Sequence, residues 1–419
     1  MISWHLAQIF PFQPYRYTAA AGAIENLVTQ PYDKISPELR ARYLAASPYN
    51  LVRIILGERS PSDSEADSVY TRAAQLLNYW IGRGILAQDP QPGFYAYFQE
   101  FRLPDSNESL TRKGFIGLGQ VEPYAARIVH RHEQTLTGPK KDRMEVLKAT
   151  RAHFGQIFML YADPDLVIDH ILDRAAQAAP LAIVENEPRD CATHRMWQIT
   201  DPEHIAEIQR LMADKKLLIA DGHHRYETAL AFRDAHPELA DAQRVMMTFV
   251  NMHSPGLKIL ATNRVVSGLD HFDAAAFFAK AAGRKLASLD ELKRLFAVPA
   301  PDHIRIGVAV PRTREIHLIE RPRAAGELDV QVLHQELLGE ALGISEEAVR
   351  EERNLHYVRG LEAAYARVES GEAQIAFLLE PTTVAQVADV AFSGGVMPQK
   401  STDFFPKLLS GMTFYKLDK

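Results

Sequence analysis

Length, composition and charge set the first bounds on this protein. The chain has 419 residues, of which 47% are hydrophobic, so it can bury large cores and is expected to divide into about two or three domains. Lys and Arg number 47 against 53 for Asp and Glu, which gives a net charge of −6. That balance argues against extended nucleic-acid binding, which needs a clustered positive surface, but it is compatible with a local cationic pocket.

Cysteine usage and hydropathy predict the compartment. A single cysteine, Cys191, excludes a framework of intramolecular disulfides and suits a reducing environment. No apolar stretch approaches the ~18 residues that span a bilayer, and residues 1–5 lack the basic block and hydrophobic run of a signal peptide. We therefore expect a soluble, cytoplasmic protein without a membrane partner. The sequence does not specify its oligomeric state.

Hydrophobic periodicity predicts a mixture of strands and helices. In the first part of the chain it predicts a strand over 51–56, a helix over 67–80, a hairpin of strands over 94–101 and 114–121, a helix over 140–151 and a strand over 155–161. Further on it predicts a strand over 217–220 that leads into a helix, a strand over 245–250, a hairpin over 304–310 and 314–319, a helix over 330–342 and a strand over 374–379. This irregular order favours an α+β architecture over a regular βαβ series.

The most informative stretch is 216–230, where a buried strand ends at Asp221-Gly222 and a helix follows. A helix that starts directly after a glycine turn presents backbone N–H groups and a positive dipole end, which together attract phosphate. The first residues of this helix are His223, His224 and Arg225, and Asp221 is placed to hold a metal ion against the same phosphates. The alternative is an ordinary strand–turn–helix connection with a solvated helix start.

The same stretch carries a resemblance to known families. Gly222-His223-His224-Arg225-Tyr226 resembles the Gly-Cys-His-Arg-Tyr signature of sulfiredoxin and the Gly-Glu-Arg-Arg box of ParB-type CTP-binding domains. The whole chain is similar to the domain of unknown function 1015 family. The motifs that carry this similarity are Pro31-Tyr32-Asp33-Lys34-Ile35-Ser36, Ser47-Pro48-Tyr49-Asn50, His132-Glu133-Gln134-Thr135, the box at 221–226 and Met397-Pro398-Gln399-Lys400-Ser401-Thr402.

The resemblance implies a fold and an activity. It implies a ParB/sulfiredoxin-like nucleotide-binding core over 106–265, which carries the phosphate loop, between an N-terminal α/β region over 1–105 and a C-terminal α/β region over 266–419. Relatives in this group include kinases of free serine, so the implied activity is an ATP- or ADP-dependent kinase with Mg²⁺. Sulfinic acid reduction is not expected, because His223 stands where sulfiredoxin has its thiol.

A kinase also needs a carboxylate that accepts the hydroxyl proton of its substrate. In the serine kinases a glutamate early in the ParB-like domain is thought to play this part, and Glu133 is the local match. The alternative is a surface glutamate in a hydrogen-bonded loop.

Four further groups of residues are candidates for binding. Lys140 and Arg143 fall on one face of a helix, where Arg143 suits bidentate contact with phosphate or a substrate carboxylate. Asp142 beside them suits Mg²⁺, or merely the start of the helix. Asp33, after a predicted strand end, and Lys400 and Thr402, in a hydroxyl-rich loop, are candidate substrate contacts. Solvated charges and a packed surface loop are the corresponding alternatives.

Three functions therefore compete. The leading one is a nucleotide-dependent phosphotransferase that acts on a small hydroxyl-bearing metabolite. The second is a nucleotide-binding regulatory or interaction protein without turnover, as a ParB-like switch would be. The third is a metal-dependent hydrolase, since the chain has 16 histidines, although it shows no His-Glu-x-x-His motif and no paired cysteines.

Overall fold

The computed structural model describes residues 7–104, 106, 108–133, 137–185, 187, 190–311 and 316–418. Parts of several predicted features lie outside these residues, namely residues 1–5, Gln134 and Thr135 of the third motif, and the turn at 312–315 between the strands of the second hairpin. Contacts divide the chain into two compact units. Unit 1 comprises Met1–Arg131, Thr135–Leu257 and Pro406–Lys419, and unit 2 comprises His132–Gln134 and Lys258–Phe405.

Unit 1 contains the described helices and strands of the first part of the chain. Its strands are β1 (Ile9–Phe10), β2 (Tyr15–Tyr17), β3 (Leu86–Gln88), β4 (Phe94–Arg102), β5 (Ser109–Gln120), β6 (Val129–His130), β7 (Ala152–His153), β8 (Ile157–Tyr161), β9 (Ala182–Val184), β10 (Thr193–Ile199), β11 (Leu217–Asp221) and β12 (Arg244–Asn251). Its helices are α1 (Pro37–Ala46), α2 (Val52–Ile55), α3 (Val69–Gly82), α4 (Thr137–Thr150), α5 (Val167–Ala175), α6 (Pro202–Met212) and α7 (His223–Ala235). Short 3-10 turns span Ala19–Ala21, Ile24–Asn26, Tyr32–Lys34, Tyr124–Ala126 and Ala240–Gln243.

A large mixed sheet organises unit 1. Among the described residues its strand order is β6-β11-β8-β12-β5-β4-β10-β9, with β1 beside β5. β4 and β5 pair antiparallel as the predicted hairpin, and β8 pairs parallel with β12 and antiparallel with β11. β11 therefore lies near one edge of the sheet, beside β6, and its carboxyl end delivers Asp221 to the start of α7.

Unit 2 follows in the chain. Its strands are β13 (Lys258–Leu260), β14 (Thr262–Val266), β15 (Arg284–Leu286), β16 (His303–Ala309), β17 (Ile316–Pro322), β18 (Leu355–Arg359), β19 (Ile375–Leu379) and β20 (Asp403–Phe405). Its helices are α8 (Ala274–Lys280), α9 (Leu289–Phe296), α10 (Asp329–Val332), α11 (Glu346–Arg350), α12 (Leu361–Glu369) and α13 (Val384–Phe392), and α10 continues into a π-helix over Leu333–Ala341. The described strands form an antiparallel sheet in the order β15-β17-β16-β19-β14-β18, and β13 pairs with β20. The chain then adds β21 (Tyr415–Lys416) to unit 1, where it pairs with β7.

The mixed α+β fold is confirmed, and the three-part division into 1–105, 106–265 and 266–419 stays a prediction. The described contacts group the residues differently: β4 and β5, which the predicted boundary after residue 105 would separate, pair with each other, and the segment Pro406–Lys419 belongs with the N-terminal half of the chain. The relation of unit 1 to a ParB/sulfiredoxin-like core also stays a prediction.

One predicted element is wrong. Residues 51–56 were expected to form a strand, but the four-residue helix α2 (Val52–Ile55) occupies them. The carbonyl oxygen of the Asn50 side chain accepts a hydrogen bond from Val52 N at 2.9 Å, and its amide donates to Asn26 O at 2.8 Å. The run is too short for a periodicity that separates a helix from a strand, and the Asn50 side chain, which precedes the helix and accepts from its first N–H, favours the helix.

No helix in the described part of the chain combines the length and the apolar character that crossing a bilayer requires.

Candidate functional site

The turn between β11 and α7 has the geometry that the sequence predicts. Gly222 is the N-cap of α7 with φ 96°, in the left-handed region, and no side chain of the described residues caps the helix. A Cβ at Gly222 would lie 3.1 Å from Nη2 of Arg225. Glycine is therefore required twice, for the backbone conformation and for the space that lets the Arg225 guanidinium fold back onto the turn.

Asp221 lies among cationic side chains. Its Oδ2 is 3.2 Å from Nζ of Lys407, and its Oδ1 is 3.8 Å from Nη2 of Arg225. Burial would raise the pKa of the Asp221 carboxyl, but the positive charges of Lys407, Arg225 and Lys34 lower it far below its ordinary value. Asp221 is thus ionised at neutral pH, and it holds Lys407 and Arg225 at the end of β11.

The segment that carries Lys407 is fixed through its backbone. Lys407 N donates to Oδ2 of Asp190 at 3.0 Å, and Lys407 O accepts from Nε2 of Gln99 at 2.8 Å. The buried Arg112 guanidinium donates to the carbonyl of Pro406. Because three side chains of unit 1 hold this backbone, the Lys407 ammonium is presented to Asp221 by a rigid support, although it lies far along the chain.

Arg225 lines a cleft of unit 1 whose empty volume is about 560 Å³, including space open to solvent. Its Nη1 donates to the carbonyl of Gln156. A second arginine of the lining, Arg143, lies with Cζ 4.2 Å from the centre of the Tyr32 ring and donates from Nη2 to Ile55 O at 2.8 Å. The polar residues of the lining are Tyr32, Arg143, His153, Arg225, Thr228 and Ser410.

The rest of the cleft wall is apolar. It consists of Ile55, Val146, Leu147, Ala152 and Phe154. Burial lowers the pKa of His153 to about 4, so this imidazole is neutral at physiological pH and adds no charge to the wall. Burial also raises the pKa of Tyr32 to about 12. The cleft therefore combines a neutral, largely apolar wall with two guanidinium groups.

Other predicted residues of unit 1 have partners of their own. Nζ of Lys140 lies 2.9 Å from Oε2 of Glu227. Asp33 forms an ion pair with Lys34 at 3.1 Å, next to Tyr32. His223 is 5% exposed in the first turn of α7, and the carbonyl of His224 accepts a hydrogen bond from Thr228 Oγ1 at 2.7 Å. The structure therefore places Lys140 and Arg143 in different surroundings, although they share a helix face.

Both carboxylates that were predicted to hold Mg²⁺ contact cations. Asp142 accepts hydrogen bonds from Arg59 at 2.7 Å, from the Tyr70 hydroxyl at 2.9 Å and from Arg143. Asp221 faces Lys407 and Arg225, as above. Within the described residues no group of three or more His, Cys, Asp or Glu side chains is placed to hold a metal ion. Since a cation-rich environment does not suit a divalent metal, the magnesium role of Asp142 and Asp221 stays a prediction, and we assign no reaction step to a metal.

Three other predicted residues meet in unit 2. Glu133 forms an isolated parallel bridge with Met397, and its Oε1 accepts a hydrogen bond from Lys400 N at 3.3 Å. Next to it, Nε2 of His132 lies 2.9 Å from Oγ1 of Thr402. Two motifs that are far apart in the sequence, at 132–133 and 397–402, are thus joined, while the catalytic role of Glu133 and the substrate roles of Lys400 and Thr402 stay predictions.

Sequence reasoning missed two cations of the Asp221 cluster. Lys34 belongs to the family motif at 31–36 and Lys407 to no predicted site, yet both lower the pKa of Asp221. For Lys34 the signal was its position in a motif beside Asp33. For Lys407 no local pattern exists, because only the fold brings residue 407 to the end of β11.

Comparisons with known proteins give a family and weak structural similarities. No curated protein matches the chain significantly. A free serine kinase in complex with AMP is 12% identical, with a TM-score of 0.37, and the alignment covers 69% of this chain and 88% of the kinase. A conserved hypothetical protein from Pyrococcus furiosus is 13% identical, with a TM-score of 0.35 and coverage of 70% and 93%. SbnI with a C-terminal truncation, from Staphylococcus aureus, is 12% identical, with a TM-score of 0.36 and coverage of 70% and 85%.

Because these TM-scores are all below 0.5, nothing about the activity of this chain follows from them. The family match is much broader: residues 9–334 match the family described as "Protein of unknown function (DUF1015)". That range covers well over half of the chain and includes the turn at Gly222, the cleft arginines and Glu133. The chain belongs to the DUF1015 family.

Proposed function

We propose that this protein is a nucleotide-dependent phosphotransferase that acts on a small hydroxyl-bearing metabolite. The observation that supports the proposal is the cleft of unit 1, in which an apolar wall and the guanidinium groups of Arg225 and Arg143 line one space. A nucleotide has the matching chemistry, with an apolar base at one end and anionic phosphates at the other. Phosphoryl transfer depends on positioning and charge neutralisation, which such a cleft can supply.

Each part of the site has a role in this proposal. Arg225 and the uncapped start of α7 bind the phosphates of ATP or ADP, and Lys407 adds a second positive charge close by. Asp221 orients both cations and prevents them from repelling each other. Gly222 lets the phosphates approach the backbone. If Mg²⁺ accompanies the nucleotide, it would further neutralise the phosphate charge.

The acceptor is less defined than the nucleotide. Glu133 is the proposed group that receives the hydroxyl proton, and Lys400 and Thr402, which lie next to it in unit 2, are proposed substrate contacts. Free serine is suggested by the family resemblance alone, and Asp33 and Lys140 remain proposed binding residues at the edge of the nucleotide site.

A second function is favoured by one feature of the cleft. Its described lining contains no Asp or Glu, so the cleft by itself offers binding without a general base. A nucleotide-binding regulatory protein without turnover would need nothing more. The two functions differ in whether nucleotide is consumed.

Thermal unfolding with ATP, ADP, CTP or GTP, each with and without Mg²⁺, tests both functions. A ligand that binds only the folded protein raises the Tm by mass action. We expect Arg225→Ala to weaken nucleotide binding by about 2–3 kcal/mol, because it removes a charge-assisted contact. Arg210→Ala is the matched control, since Arg210 is two-thirds exposed on α6 and forms a surface ion pair with Glu207.

The outcomes separate the candidates. If no nucleotide raises the Tm, both the phosphotransferase and the regulatory function are wrong. If nucleotide binds but no small hydroxyl compound is phosphorylated, the regulatory function is favoured. A Tm that a chelator lowers, in a protein that binds no nucleotide, would instead point to a metal-dependent hydrolase.

A further inference from the structure

Arg264 is a buried arginine in the sheet of unit 2. It lies on β14 directly opposite Tyr357 of β18 and Phe377 of β19, and it is 1% exposed. Its Cζ is 5.3 Å from the centre of the Tyr357 ring. Burial lowers the pKa of the Arg264 guanidinium only to about 10, so the group keeps its charge at neutral pH. A full positive charge is thus enclosed in this unit.

The partners of Arg264 are neutral. Its Nη1 donates to the carbonyl of Thr262, and its Nη2 donates to the carbonyls of Gln399 and Lys400 at 3.2 and 3.1 Å. Its Nε is buried and makes no hydrogen bond within the described residues. In the same part of the chain no carboxylate lies within ion-pair distance of it. Three backbone carbonyls therefore accept from the guanidinium, and its buried Nε–H is left without an acceptor among the described residues.

Neighbouring arginines of unit 2 show what a paired arginine looks like in this fold. Arg305, 4% exposed, donates to both carboxylate oxygens of Glu380 at 2.8 and 2.5 Å. Arg359, on β18 two residues beyond Tyr357, contacts Asp403 at 2.8 and 2.7 Å. Arg264 is more buried than either and lacks such a partner. Arg264 therefore differs from Arg305 and Arg359 in lacking a carboxylate partner among the described residues, and not merely in how deeply it is buried.

Two further buried polar atoms lie around Arg264 without hydrogen bonds in the described residues. They are the hydroxyl oxygen of Tyr357 and Nε2 of His334, which belongs to the π-helix. π-Helices are rare and occur frequently at functional sites. Burial and the charge of Arg264 lower the pKa of His334 to about 3, and burial raises the pKa of Tyr357 to about 12, so both groups are neutral. The Nε of Arg264 and one atom on each of two side chains that feel its charge are thus buried without a hydrogen bond among the described residues.

Such an arrangement is costly unless an anion completes it. A buried charge without a counter-ion carries a large desolvation penalty, and each buried donor without an acceptor adds to it. A carboxylate binds a guanidinium through short charge-assisted hydrogen bonds. We propose that Arg264, together with Tyr357 and His334, forms a binding site for a small carboxylate in unit 2.

The charge of the site selects a monoanion. Arg264 supplies one positive charge, and the other two groups are neutral. The negative charges of Glu352 and Glu133 both raise the pKa of Tyr357, so a second negative charge on the ligand would add repulsion there. The carbonyls of Gln399 and Lys400 are neutral acceptors on the same guanidinium, and a carboxylate would replace them with stronger bonds.

The site also bears on the acceptor. Lys400 links the two groups, because its N–H contacts Glu133 and its carbonyl contacts Arg264. If Glu133 is the general base, which rests on the proposed function, then the acceptor is a hydroxyl compound that carries a carboxylate. The carboxylate site itself does not depend on that function.

Calorimetric titration of the full chain with sodium glycolate, at constant ionic strength against sodium chloride, tests the site. We expect saturable binding of glycolate, and a rise in Tm that chloride does not give. Arg264→Met should weaken glycolate binding by about tenfold or more, and Tyr357→Phe by less, because only the first removes the charge. Arg294→Met, at an exposed arginine of α9, should leave binding unchanged.

The result that overturns the site is equally direct. Glycolate that has no more effect than chloride, or that binds Arg264→Met as tightly as the wild type, would show that Arg264 only supports the loop at 399–400. Inorganic phosphate that binds more tightly than glycolate would exclude the carboxylate class. If Arg264→Met fails to fold, Arg264→Lys keeps the charge but loses the fork, and unchanged affinity in it would also overturn the site. Nucleotide titrations on the same samples fail or succeed independently.

Discussion

Two buried charges of opposite sign differ in how this fold compensates them. In unit 1 the Asp221 carboxylate faces Lys407, Arg225 and Lys34, so one negative charge is surrounded by several positive ones. In unit 2 the hydrogen bonds of the Arg264 guanidinium go to backbone carbonyls, and no carboxylate of the described residues lies within ion-pair distance of it. Neither arrangement can be read from the net charge of −6 that the whole chain carries.

The comparison shows how the charges around a site predict the charge of the anion that it binds. Several cations that share one carboxylate suit a ligand with several negative charges, such as the phosphates of a nucleotide. A single cation among neutral donors suits a monoanion. The net charge of the whole sequence does not reveal either site, because in a buried environment the few nearest charged groups determine which ligand binds.

The largest effect on the proposed activity is expected from substitution of Glu133. It tests whether nucleotide binding depends on unit 1 and proton acceptance on Glu133 of unit 2. Glu133→Gln should lower the rate of phosphoryl transfer about 10²–10⁴-fold, because the amide cannot accept the hydroxyl proton. Nucleotide affinity should stay the same, since the phosphates are assigned to unit 1. Single-turnover kinetics with ATP or ADP, combined with nucleotide titration, measure both quantities.

Glu369→Gln, at an exposed glutamate at the end of α12, serves as the control for this substitution. Equal rates for Glu133→Gln and the wild type would remove Glu133 from the mechanism. A loss of nucleotide affinity with an unchanged rate would show instead that the division between the two regions is wrong.

The free energy of unfolding should respond very differently to substitution at the two buried charges. Asp221→Asn leaves Lys407 and Arg225 without their shared counter-ion and should lower the free energy of unfolding by on the order of 3 kcal/mol. Arg264→Met removes an uncompensated charge and should cost much less, or even stabilise the fold. Urea unfolding at pH 7 compares the two variants, and an equal loss in both would contradict the comparison.

The low pKa of the Asp221 carboxyl predicts that the free energy of unfolding depends on pH. The folded pKa of Asp221 lies below the value of about 3.9 that an unfolded aspartate has, so its stabilising effect is complete at neutral pH and is lost as the pH falls below about 4. The free energy of unfolding of Asp221→Asn should therefore fall less steeply with acidification than that of the wild type. Parallel curves for the two proteins would show that the surrounding cations do not stabilise the carboxylate.

The smallest effect is expected at Gly222 and sharpens the role of the turn. Gly222→Ala should lower the free energy of unfolding by roughly 1–2 kcal/mol, because φ is 96° and L-residues avoid this region. Gly84→Ala is the matched control, since Gly84 has φ 68° but open space where its Cβ would lie. Nucleotide affinity should fall only in Gly222→Ala, where the new Cβ displaces Arg225, and an equal fall in both would refute the close contact.

The fold could be predicted where periodicity or caps mark an element. The hairpin of β4 and β5, the helix α3 and the passage from β11 to α7 follow the pattern of apolar residues. The helix α2 could not be predicted, because its four residues are too few for a period and the Asn50 side chain that accepts from its first N–H is held by Asn26, which lies far away in the sequence. Local patterns identify the elements that the chain forms by itself.

The candidate site could be predicted only in part, for a related reason. Gly222 and Arg225 were found because their chemistry lies within one short stretch. Lys407 and Arg264 could not be predicted. Lys407 pairs with Asp221, 186 positions earlier in the chain, and Arg264 is distinguished by having no counter-ion among the described residues. Absence of a counter-ion is a property of three-dimensional packing, and no sequence motif records it.

The return of Pro406–Lys419 to unit 1 has a consequence for biosynthesis. Lys407, and β21 with its partner β7, join a unit whose other residues are all translated before most of unit 2. Phe414 from the same segment packs into the core beneath α3. During translation, unit 1 therefore cannot complete its charge cluster and one of its cores until the ribosome has made unit 2. The nucleotide binding proposed above would then begin only after residues 406–419 have been synthesised.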